Sequence, residues 1–472
     1  MTPIARYARL PGRVVMVGFG SIGQAVLPLL HRHFELHPEQ ISILTADPGG
    51  AAIAQEYRAG FSVLPLTPGN YVEALAPRLA EGDFLLNLSV DVSSKALLEL
   101  CWQRGALYLD TCIEPWAGGY TDTSRTASQR SNYGLREQIL AFSREHAGGP
   151  TAIVTFGANP GLASVFVKQA LLNIAAHNDI DAGRPAGSAQ WAALARRLGI
   201  RTIHIAERDT QVSAQRKRRN EFVNTWSVDG FISEGLQPAE LGWGAHERRW
   251  PADARRHAFG CGAAIYLDRP GAGTRVRSWT PLEGEYHGFM ITHGESISIA
   301  NYLTLQRDGE TVYRPTVHYA YHPCDDAVLS LHELAGRNWR PQDGKRIIRD
   351  DIVSGTDELG VLLMGNARGS YWYGSRLSID AARALTPHNS ATSLQVAAGV
   401  LAGMVLALHR PRAGVLEPED LDHEAVMEIA RPYLGEMAGV FSDWTPLKGR
   451  APLFGEDMDR EDPWQFMNFR VS

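Results

Sequence analysis

A glycine-rich turn near the N-terminus has the residue types and spacing of a dinucleotide-binding motif. The β-branched run 13–17 ends in Gly18-Phe19-Gly20-Ser21-Ile22-Gly23, after which apolar residues recur at helical spacing. In such a turn the first glycine makes the tight bend, the second admits a pyrophosphate close to the backbone, and the third lets the helix pack against the strand. The start of the helix offers free N–H groups to that pyrophosphate. We therefore predict that Gly18, Gly20, Ser21, Ile22 and Gly23 bind a dinucleotide.

An acidic residue follows the next run that is typical of a strand. Residues 41–45 are apolar and β-prone, and Asp47 comes two positions later. A carboxylate at this place accepts hydrogen bonds from the adenosine ribose and repels a 2′-phosphate, which favours NAD over NADP. The alternative is a turn aspartate ahead of Pro48 and Gly49. The sequence thus predicts NAD as the cofactor, with Asp47 as a ligand of its ribose.

Short apolar runs continue to alternate with helical patterns through the first third of the chain. The runs are 61–66, 84–88, 106–109 and 152–156, and this order predicts a parallel sheet with helices on both faces. Polar residues at the carboxyl ends of the strands should line a ligand crevice. That crevice would be lined by Ser89, Val90, Asp91, Asp110, Thr111, Glu114 and Asn159, with Ser89, Val90, Asp91, Thr111 and Asn159 next to the cofactor.

Asn159 also has a purely structural interpretation. In the sequence Asn159-Pro160-Gly161 the asparagine could cap a helix over 162–175, with Pro160 at its first position.

The second half of the chain has a different character. From about 200 to 380 it is rich in Gly, Trp and Tyr, and β-prone segments recur at 276–279, 287–292, 312–321 and 360–364, with a hairpin turn at 366–373. Such a pattern predicts a mostly antiparallel sheet. The fold class is therefore α/β, a Rossmann-type parallel sheet domain plus a second α+β domain with a largely antiparallel sheet.

We predict three regions on this basis. Residues 1–158 form the NAD-binding domain, completed by helices from about 386–415. Residues 159–385 form the substrate-binding and dimerisation domain. Residues 416–472 form a C-terminal extension that packs on the core.

Composition limits the possible function classes. A chain of 472 residues with 44% hydrophobic and 21% charged residues should fold into two or three packed units. The net charge of -6 and the absence of a long basic run argue against nucleic acid, and the short basic stretch 216–219 is typical of a solvated loop. Four scattered cysteines without a CxxC pair indicate neither a zinc site nor a disulfide framework. We predict no bound metal.

The sequence also predicts where the protein resides. No charged segment followed by an apolar one precedes the first strand, so we expect no signal peptide and a cytoplasmic protein. The apolar stretch 391–408 contains Gln395 and two glycines, which favours a buried helix over a membrane span.

Segments along the whole chain resemble bacterial homospermidine synthases. The longest match is FVNTWSVDGFISEGLQPAELGWG at 222–244, and others are IHIAERDTQ at 203–211, THGESISIA at 292–300 and YAYHPCDDAVLSLHE at 319–333. The resemblance implies a saccharopine-dehydrogenase-like fold whose second domain supplies an amine pocket and a dimer contact. It implies a redox-neutral transfer, in which bound NAD takes a hydride from putrescine, a second putrescine or spermidine attacks the imine, ammonia leaves and the hydride returns. Putrescine, spermidine and related diamines would be the small-molecule partners.

The resemblance also implies a set of pocket residues. These are Asp91, Glu114, Asn159, Glu207, Trp226, Glu234, His293 and Asp357. Carboxylates suit a dication, and we expect Glu207, Glu234 and Asp357 to hold its ammonium groups.

Trp226 suits a cation–π contact, although a tryptophan in an apolar stretch is also typical of a core. A base must deprotonate the reacting amine, and His293 or Glu114 could serve, although a lone histidine in a strand 287–293 is also typical of a core. His318 and His322 share a face, but no third metal ligand is near them in the sequence.

Two other functions fit the glycine turn. One is a saccharopine-dehydrogenase-like oxidoreductase that releases NADH, and the other is an NAD-binding sensor without catalysis. The acidic, tryptophan-bearing region 203–244 favours the synthase over both, because neither alternative needs it. Turnover of putrescine alone would separate all three.

Overall fold

The computed structural model describes residues 5–450 and 456–471. Residues 1–4 of the predicted NAD-binding domain lie outside the described residues, as do 451–455 and 472 of the predicted C-terminal extension.

The first sheet has seven strands and is parallel throughout, as predicted. In spatial order its strands are Val415–Leu416, Ala152–Ile153, Leu107–Asp110, Phe84–Asn87, Val14–Val17, Ile41–Thr45 and Gly60–Val63. The chain runs outward from Val14–Val17 in one direction and then returns to continue on the other side of that strand. This reversal opens a crevice at the carboxyl ends of the strands, where α/β proteins bind their ligands.

Helices cover both faces of this sheet. Val14 and Met16 belong to one core cluster, whereas Val15 and Val17 point into another. The helices of this region are Ser21–His33, Ala51–Glu56, Tyr71–Leu75, Ser94–Arg104, Asn132–Glu145 and Ala391–His409. The helix Leu162–His177 packs on the strands Thr356–Asn366 and Gly369–Ser378 of the second sheet, and His423–Ala430 packs on Ala391–His409 and Leu162–His177.

The helix predicted at 391–408 is present as Ala391–His409. It packs against Ser21–His33 and the strand Leu107–Asp110. By length and composition it could cross a membrane, but 83% of its most apolar window is buried inside the protein. The prediction of a buried helix is therefore confirmed.

The second sheet has ten strands and is largely antiparallel, as predicted. Only the central pair, Thr316–His322 and Thr202–Asp209, runs parallel. The path of the sheet is Ala254–Arg256, Ala264–Pro270, Pro238–Gly242, Thr316–His322, Thr202–Asp209, Thr356–Asn366, Gly369–Ser378 and Glu436–Ser442, with the hairpin Arg275–Thr280 and Gly284–Phe289 joined to Thr316–His322.

Shorter elements surround this sheet. The helices are Ser188–Arg197, Val228–Leu236, Glu295–Tyr302, Asp325–Gly336, Ile379–Leu385 and Phe466–Phe469. Small two-stranded pairs are Ala8–Arg9 with Phe34–Glu35, Val212–Ser213 with Ile352–Ser354, Glu221–Asn224 with Gly344–Ile347, and Leu305–Arg307 with Glu310–Tyr313.

Several of the predicted strands were wrong in extent. The runs 61–66 and 152–156 form the shorter strands Gly60–Val63 and Ala152–Ile153. The run 312–321 is divided into Glu310–Tyr313 and Thr316–His322, with Pro315 between them; proline cannot donate a ladder hydrogen bond. The strand predicted to reach His293 ends at Phe289, because the chain leaves the sheet ahead of the helix Glu295–Tyr302. The predicted hairpin at 366–373 is confirmed by the pairing of Asn366 with Gly369.

The C-terminal region does more than pack on the core. Val415–Leu416 adds a strand to the first sheet, and Glu436–Ser442 adds an edge strand to the second. Phe466 and Phe469 are buried against the second sheet. The predicted extension 416–472 is therefore partly built into both sheets.

Candidate active site

The glycine turn has the geometry that a dinucleotide pyrophosphate requires. Gly18 has a φ of +85°, and a Cβ there would lie 2.6 Å from the carbonyl oxygen of Leu88. A Cβ on Gly23 would lie 2.9 Å from the Phe19 ring, whereas a Cβ on Gly20 would meet nothing within 4 Å. The first and third glycines are thus required by packing, and the second leaves open space for a ligand.

The helix that follows this turn has an open N-terminus. It begins at Ser21, and Gly20 at the cap position offers no side chain to its N–H groups. Such N–H groups are available to a phosphate.

Asp47 serves as a turn residue and keeps one oxygen for other partners. It is exposed, and its Oδ1 accepts a hydrogen bond from the Gly49 N–H at 2.8 Å. This bond closes the turn over Pro48–Gly50, as the alternative interpretation expected. Oδ2 is not used by that bond, so the same carboxylate can also accept from a ribose hydroxyl.

A narrow cavity of about 110 Å³ lies between the crevice of the first sheet and the second sheet. It brings together most of the residues predicted for the site. The predicted residues in its lining are Ile22, Ser89, Val90, Thr111, Glu114, Asn159, Glu207, Trp226, Glu234 and His293. Residues of the glycine turn and of the amine pocket therefore meet in one space, where a nicotinamide ring and an amine could be in contact.

Glu207 lies at the centre of the second sheet and faces this cavity. It is 1% exposed, and its carboxylate accepts hydrogen bonds from the Asn159 amide and the Tyr319 hydroxyl. Burial raises the pKa of Glu207 to about 7, and the two hydrogen bonds limit that rise. A carboxylate with this pKa can take up or release a proton near neutral pH.

Asn159 does not cap the following helix. That helix begins at Leu162 with Gly161 at the cap position, so the side chain of Asn159 is free to reach across to Glu207 and Tyr319. The capping interpretation was wrong, and the crevice interpretation describes its position.

His293 is held between two carboxylates. Its Nε2 lies 3.2 Å from Glu234 and its Nδ1 lies 3.3 Å from Glu295. Burial would lower the pKa of His293, but the charges of Glu295 and Glu234 outweigh burial and raise it to about 10. The ring is therefore an imidazolium at neutral pH, with both nitrogens engaged. A protonated ring is a poor proton acceptor, so this arrangement favours Glu207 over His293 as the base, while the role of His293 stays a prediction.

Glu114 is a buried carboxyl group whose surroundings disfavour its negative charge. It is 3% exposed, and burial first and the charge of Glu234 second raise its pKa well above the ordinary range. The neutral acid is therefore favoured at Glu114. Its Oε2 lies 3.5 Å from the N–H of Asp91.

Trp226 is half-buried and belongs partly to the core and partly to the cavity. Its ring packs on Phe231 at a centroid distance of 5.3 Å and also lines the cavity. Its Nε1 donates to the Tyr321 hydroxyl at 3.2 Å. The ring is thus anchored by its polar edge at the wall of the cavity.

Asp357 and Asp91 are placed differently from the other predicted residues. Asp357 is fully buried behind Glu207, paired in register with Asp209, and is not part of the cavity lining. Burial and then the charges of Glu207 and Asp209 raise its pKa well above the ordinary range. Direct binding of an ammonium group by Asp357, as predicted, disagrees with this position. Asp91 is exposed, next to Glu114, and is also outside the lining.

Sequence reasoning missed several residues of the site. Tyr319 and Tyr321 contact Glu207 and Trp226, and Glu295 completes the carboxylate pair around His293. A signal for the tyrosines was present in Tyr-Ala-Tyr at 319–321, since alternate residues of a strand share a face.

Metal ligation finds no support in the part of the chain that the structure describes. No group of three or more His, Cys, Asp or Glu side chains there could hold a metal ion. His318 packs on His204 at a ring distance of 4.1 Å, on the face covered by Phe466, and His322 contacts Arg208. The two histidines thus have separate surroundings.

Two family models match the chain. Residues 14–153 match the saccharopine dehydrogenase NADP binding domain, and residues 157–442 match the saccharopine dehydrogenase C-terminal domain. These matches cover both sheets.

Full-length relatives are more specific. The chain is 52% identical to the homospermidine synthase of Blastochloris viridis, with 100% of each chain covered. It is 47% identical to the homospermidine synthase of Mesorhizobium japonicum, with 98% of this chain and 97% of the relative covered. The chain belongs to the homospermidine synthase family.

A solved structure of the same family supports this assignment. The homospermidine synthase of Legionella pneumophila, crystallised in complex with NAD, is 50% identical and superposes with a TM-score of 0.92 over 98% of each chain. The resemblance found in the sequence is therefore confirmed, together with the predicted fold class.

Proposed function

We propose that this chain is an NAD-dependent homospermidine synthase that condenses two putrescines, or putrescine with spermidine, and releases ammonia. The observation that carries the proposal is the narrow cavity in which the crevice of the glycine-turn domain meets Glu207, Glu234, His293 and Trp226. Family membership supports the same reaction. We further propose that it works as a cytoplasmic homodimer.

The residues of the first domain fit NAD. Gly18 and Gly23 make the turn, Gly20 leaves the approach open, and Asp47 follows the second strand with an oxygen for the ribose. The nicotinamide end would lie against the cavity residues Ile22, Ser89, Val90, Thr111 and Asn159. When bound, NAD accepts a hydride from the amine carbon and returns it to the imine.

The second domain holds the diamine. Glu207 and Glu234 face the cavity and can each pair with an ammonium group. The imidazolium of His293 shares the charge of Glu234, so an incoming ammonium competes with it there. The indole of Trp226 lies beside the cavity and stabilises a cation over its face. Asp357 acts on the site through Thr392, whose hydroxyl donates to Oδ2 of Asp357 and which lines the cavity. Asp91 lies outside the lining and contributes to the raised pKa of Glu114.

Proton transfers are divided between two carboxyl groups. Glu207, with a pKa of about 7, takes the proton that the reacting amine must lose before its carbon can release a hydride. Glu114 favours the neutral acid and can donate a proton to the departing ammonia. The cavity is narrow, so a bound diamine displaces water from the imine and the second amine attacks first.

The test is turnover of putrescine by the purified protein with NAD. We expect homospermidine and ammonia in equal amounts and no accumulation of NADH. Stoichiometric NADH with free aminobutanal would establish an amine dehydrogenase instead. Binding of NAD and putrescine with no turnover would establish a sensor.

A further inference from the structure

Two buried tyrosines lie side by side at the cavity, and one of them, Tyr319, belongs to its lining. Tyr319 and Tyr321 are alternate residues of the strand Thr316–His322 and are 2% and 1% exposed. Their rings are stacked with centroids 5.2 Å apart and planes 2° apart. On the cavity side the ring of His293 lies 4.4 Å from that of Tyr319, with its plane tilted by 35°. The two rings therefore form one rigid unit.

The two hydroxyl groups have different partners. The Tyr319 hydroxyl donates to Oε2 of Glu207 and accepts from the Asn159 amide at 2.5 Å. The Tyr321 hydroxyl accepts from Nε1 of Trp226 at 3.2 Å. Tyr319 is thus hydrogen-bonded to the Glu207 carboxylate, and Tyr321 is hydrogen-bonded to the Trp226 indole.

Resting on the function proposed above, we infer that these tyrosines are a pair of positioning residues, in which Tyr319 orients the Glu207 carboxylate and Tyr321 orients the Trp226 indole. The stacked rings fix the distance between the two hydroxyl groups. The proton acceptor and the cation-binding ring are therefore held in a constant relation to each other, although they come from different strands and loops.

Loss of the Tyr319 hydroxyl has a sign that can be worked out. A donor to the ionised carboxylate lowers the pKa of Glu207, so its removal raises that pKa above about 7. Activity needs the ionised form, so the acid limb of the pH profile moves to higher pH. The charged and titratable groups that face Glu207 stay in place in this variant; they are Asp209, Tyr286, His293, Tyr321 and Asp357.

Three phenylalanine variants separate the two roles from simple packing. Tyr319→Phe and Tyr321→Phe keep the stacked rings and remove one hydroxyl each. Tyr313→Phe is the control, because its hydroxyl donates to the Ile200 carbonyl at 3.0 Å, outside the cavity lining.

For Tyr319→Phe we expect the midpoint of the acid limb in the pH profile of kcat to move to higher pH by about one pH unit. Activity should fall about tenfold below the limb and recover above it. For Tyr321→Phe we expect an unchanged acid limb and a KM for putrescine raised about threefold to tenfold, because the indole is no longer anchored. Tyr313→Phe should match the wild type. Identical profiles for the Tyr319 and Tyr321 variants would overturn the inference.

A measurement without turnover keeps this inference separate from the proposed reaction. Infrared difference spectra of the NAD-bound protein, recorded against pH and assigned with Glu207→Gln, report the carboxyl band of Glu207. Its midpoint should rise in Tyr319→Phe and stay constant in Tyr321→Phe, whatever reaction the protein catalyses. A constant midpoint in both would contradict the inference, whereas absence of homospermidine would contradict the proposed function alone.

A second variant serves if Tyr319→Phe does not fold. Replacement of Tyr319 by 3-fluorotyrosine keeps the ring and makes the hydroxyl a stronger donor. The acid limb should then move to lower pH, opposite to the phenylalanine variant. A shift in the same direction, or none, would contradict the inference.

Discussion

Two regions that meet at the cavity are built by different physical means. The glycine turn, which reaches the cavity through Ile22, depends on backbone shape, on glycines that leave room and on open N–H groups at a helix terminus. The second domain contributes buried ionisable side chains whose pKa values depend on one another. The comparison indicates that cofactor binding should depend on steric changes, whereas turnover should depend on pH and on single functional groups.

Removal of the Glu207 charge should have the largest effect. Glu207→Gln keeps the size of the side chain but cannot accept a proton, so we expect kcat to fall by about 10² to 10⁴ while the Kd for NAD stays within about twofold. Glu247→Gln is the matched control, since Glu247 is also buried with a pKa near 7 but contacts Thr316 instead of the cavity. Comparable losses of kcat in Glu207→Gln and Glu247→Gln would show that turnover does not depend specifically on the carboxylate in the cavity.

In the glycine turn we expect steric changes to alter NAD binding or stability. A methyl group on Gly20 meets no protein atom within 4 Å, so Gly20→Ala should fold normally and weaken NAD binding by about tenfold or more. Gly18→Ala should instead lower the melting temperature, because a φ of +85° and contact with Leu88 both oppose a Cβ. Calorimetry and thermal melts would measure the two effects. Normal NAD affinity in Gly20→Ala would contradict the assignment of the turn.

Substitutions of Trp226 test whether its indole ring binds the amine through its π face. Trp226→Phe keeps a weaker aromatic face and Trp226→Leu keeps only bulk, so we expect kcat/KM for putrescine to be about 2 to 30 times higher in the phenylalanine variant. Steady-state kinetics at one pH on two folded variants would measure this. Equal rates would assign Trp226 to packing.

Asp47 should determine the preference of the dinucleotide site for NAD over NADP. The matching family model is named for NADP, while the Legionella relative was crystallised with NAD. Repulsion of a 2′-phosphate by Asp47 should make NAD bind more tightly than NADP, and Asp47→Ala should narrow that ratio by about tenfold. Equal wild-type affinities for the two nucleotides would contradict the role of Asp47.

The smallest expected effect is a pH dependence of stability caused by His293. Its pKa is about 10 in the folded protein and about 6.5 when unfolded, so the folded state holds the extra proton between these values. This contribution to stability is complete below pH 6.5 and is lost as the pH rises to 10. We expect the wild-type melting temperature to fall across this window by several degrees more than that of His293→Gln. Parallel curves would indicate a neutral imidazole.

The local features of the fold were predictable from the sequence. The strand, glycine turn and helix at 14–33 are encoded by adjacent residues, and the glycine spacing alone defines their geometry. The hairpin at 366–369 and the apolar helix at 391–409 are also local. Periodicity and turn residues act over short stretches, so these elements could be placed without the tertiary structure.

The charge states of the site could not be predicted in the same way. The pKa of His293 is raised because its ring contacts two carboxylates, Glu234 and Glu295. Glu234 lies 59 positions earlier in the chain, so the sequence around His293 does not reveal this contact. Asp357 is set behind Glu207 by the register of two strands that are far apart in the sequence. The edge strand Glu436–Ser442 follows a helical region and carries no strong strand signal. Such long-range pairings are fixed only by the tertiary fold.

The central claim is that the hydride removed from the amine returns to the product within one cavity. Putrescine deuterated at the carbons next to nitrogen, supplied with unlabelled putrescine and NAD, tests it directly by mass spectrometry of the product. We predict homospermidine in which the deuterium removed is put back, with almost no exchange into free NAD and a flat absorbance of reduced nicotinamide. Deuterium accumulating in free NADH, with aminobutanal in solution, would contradict the account.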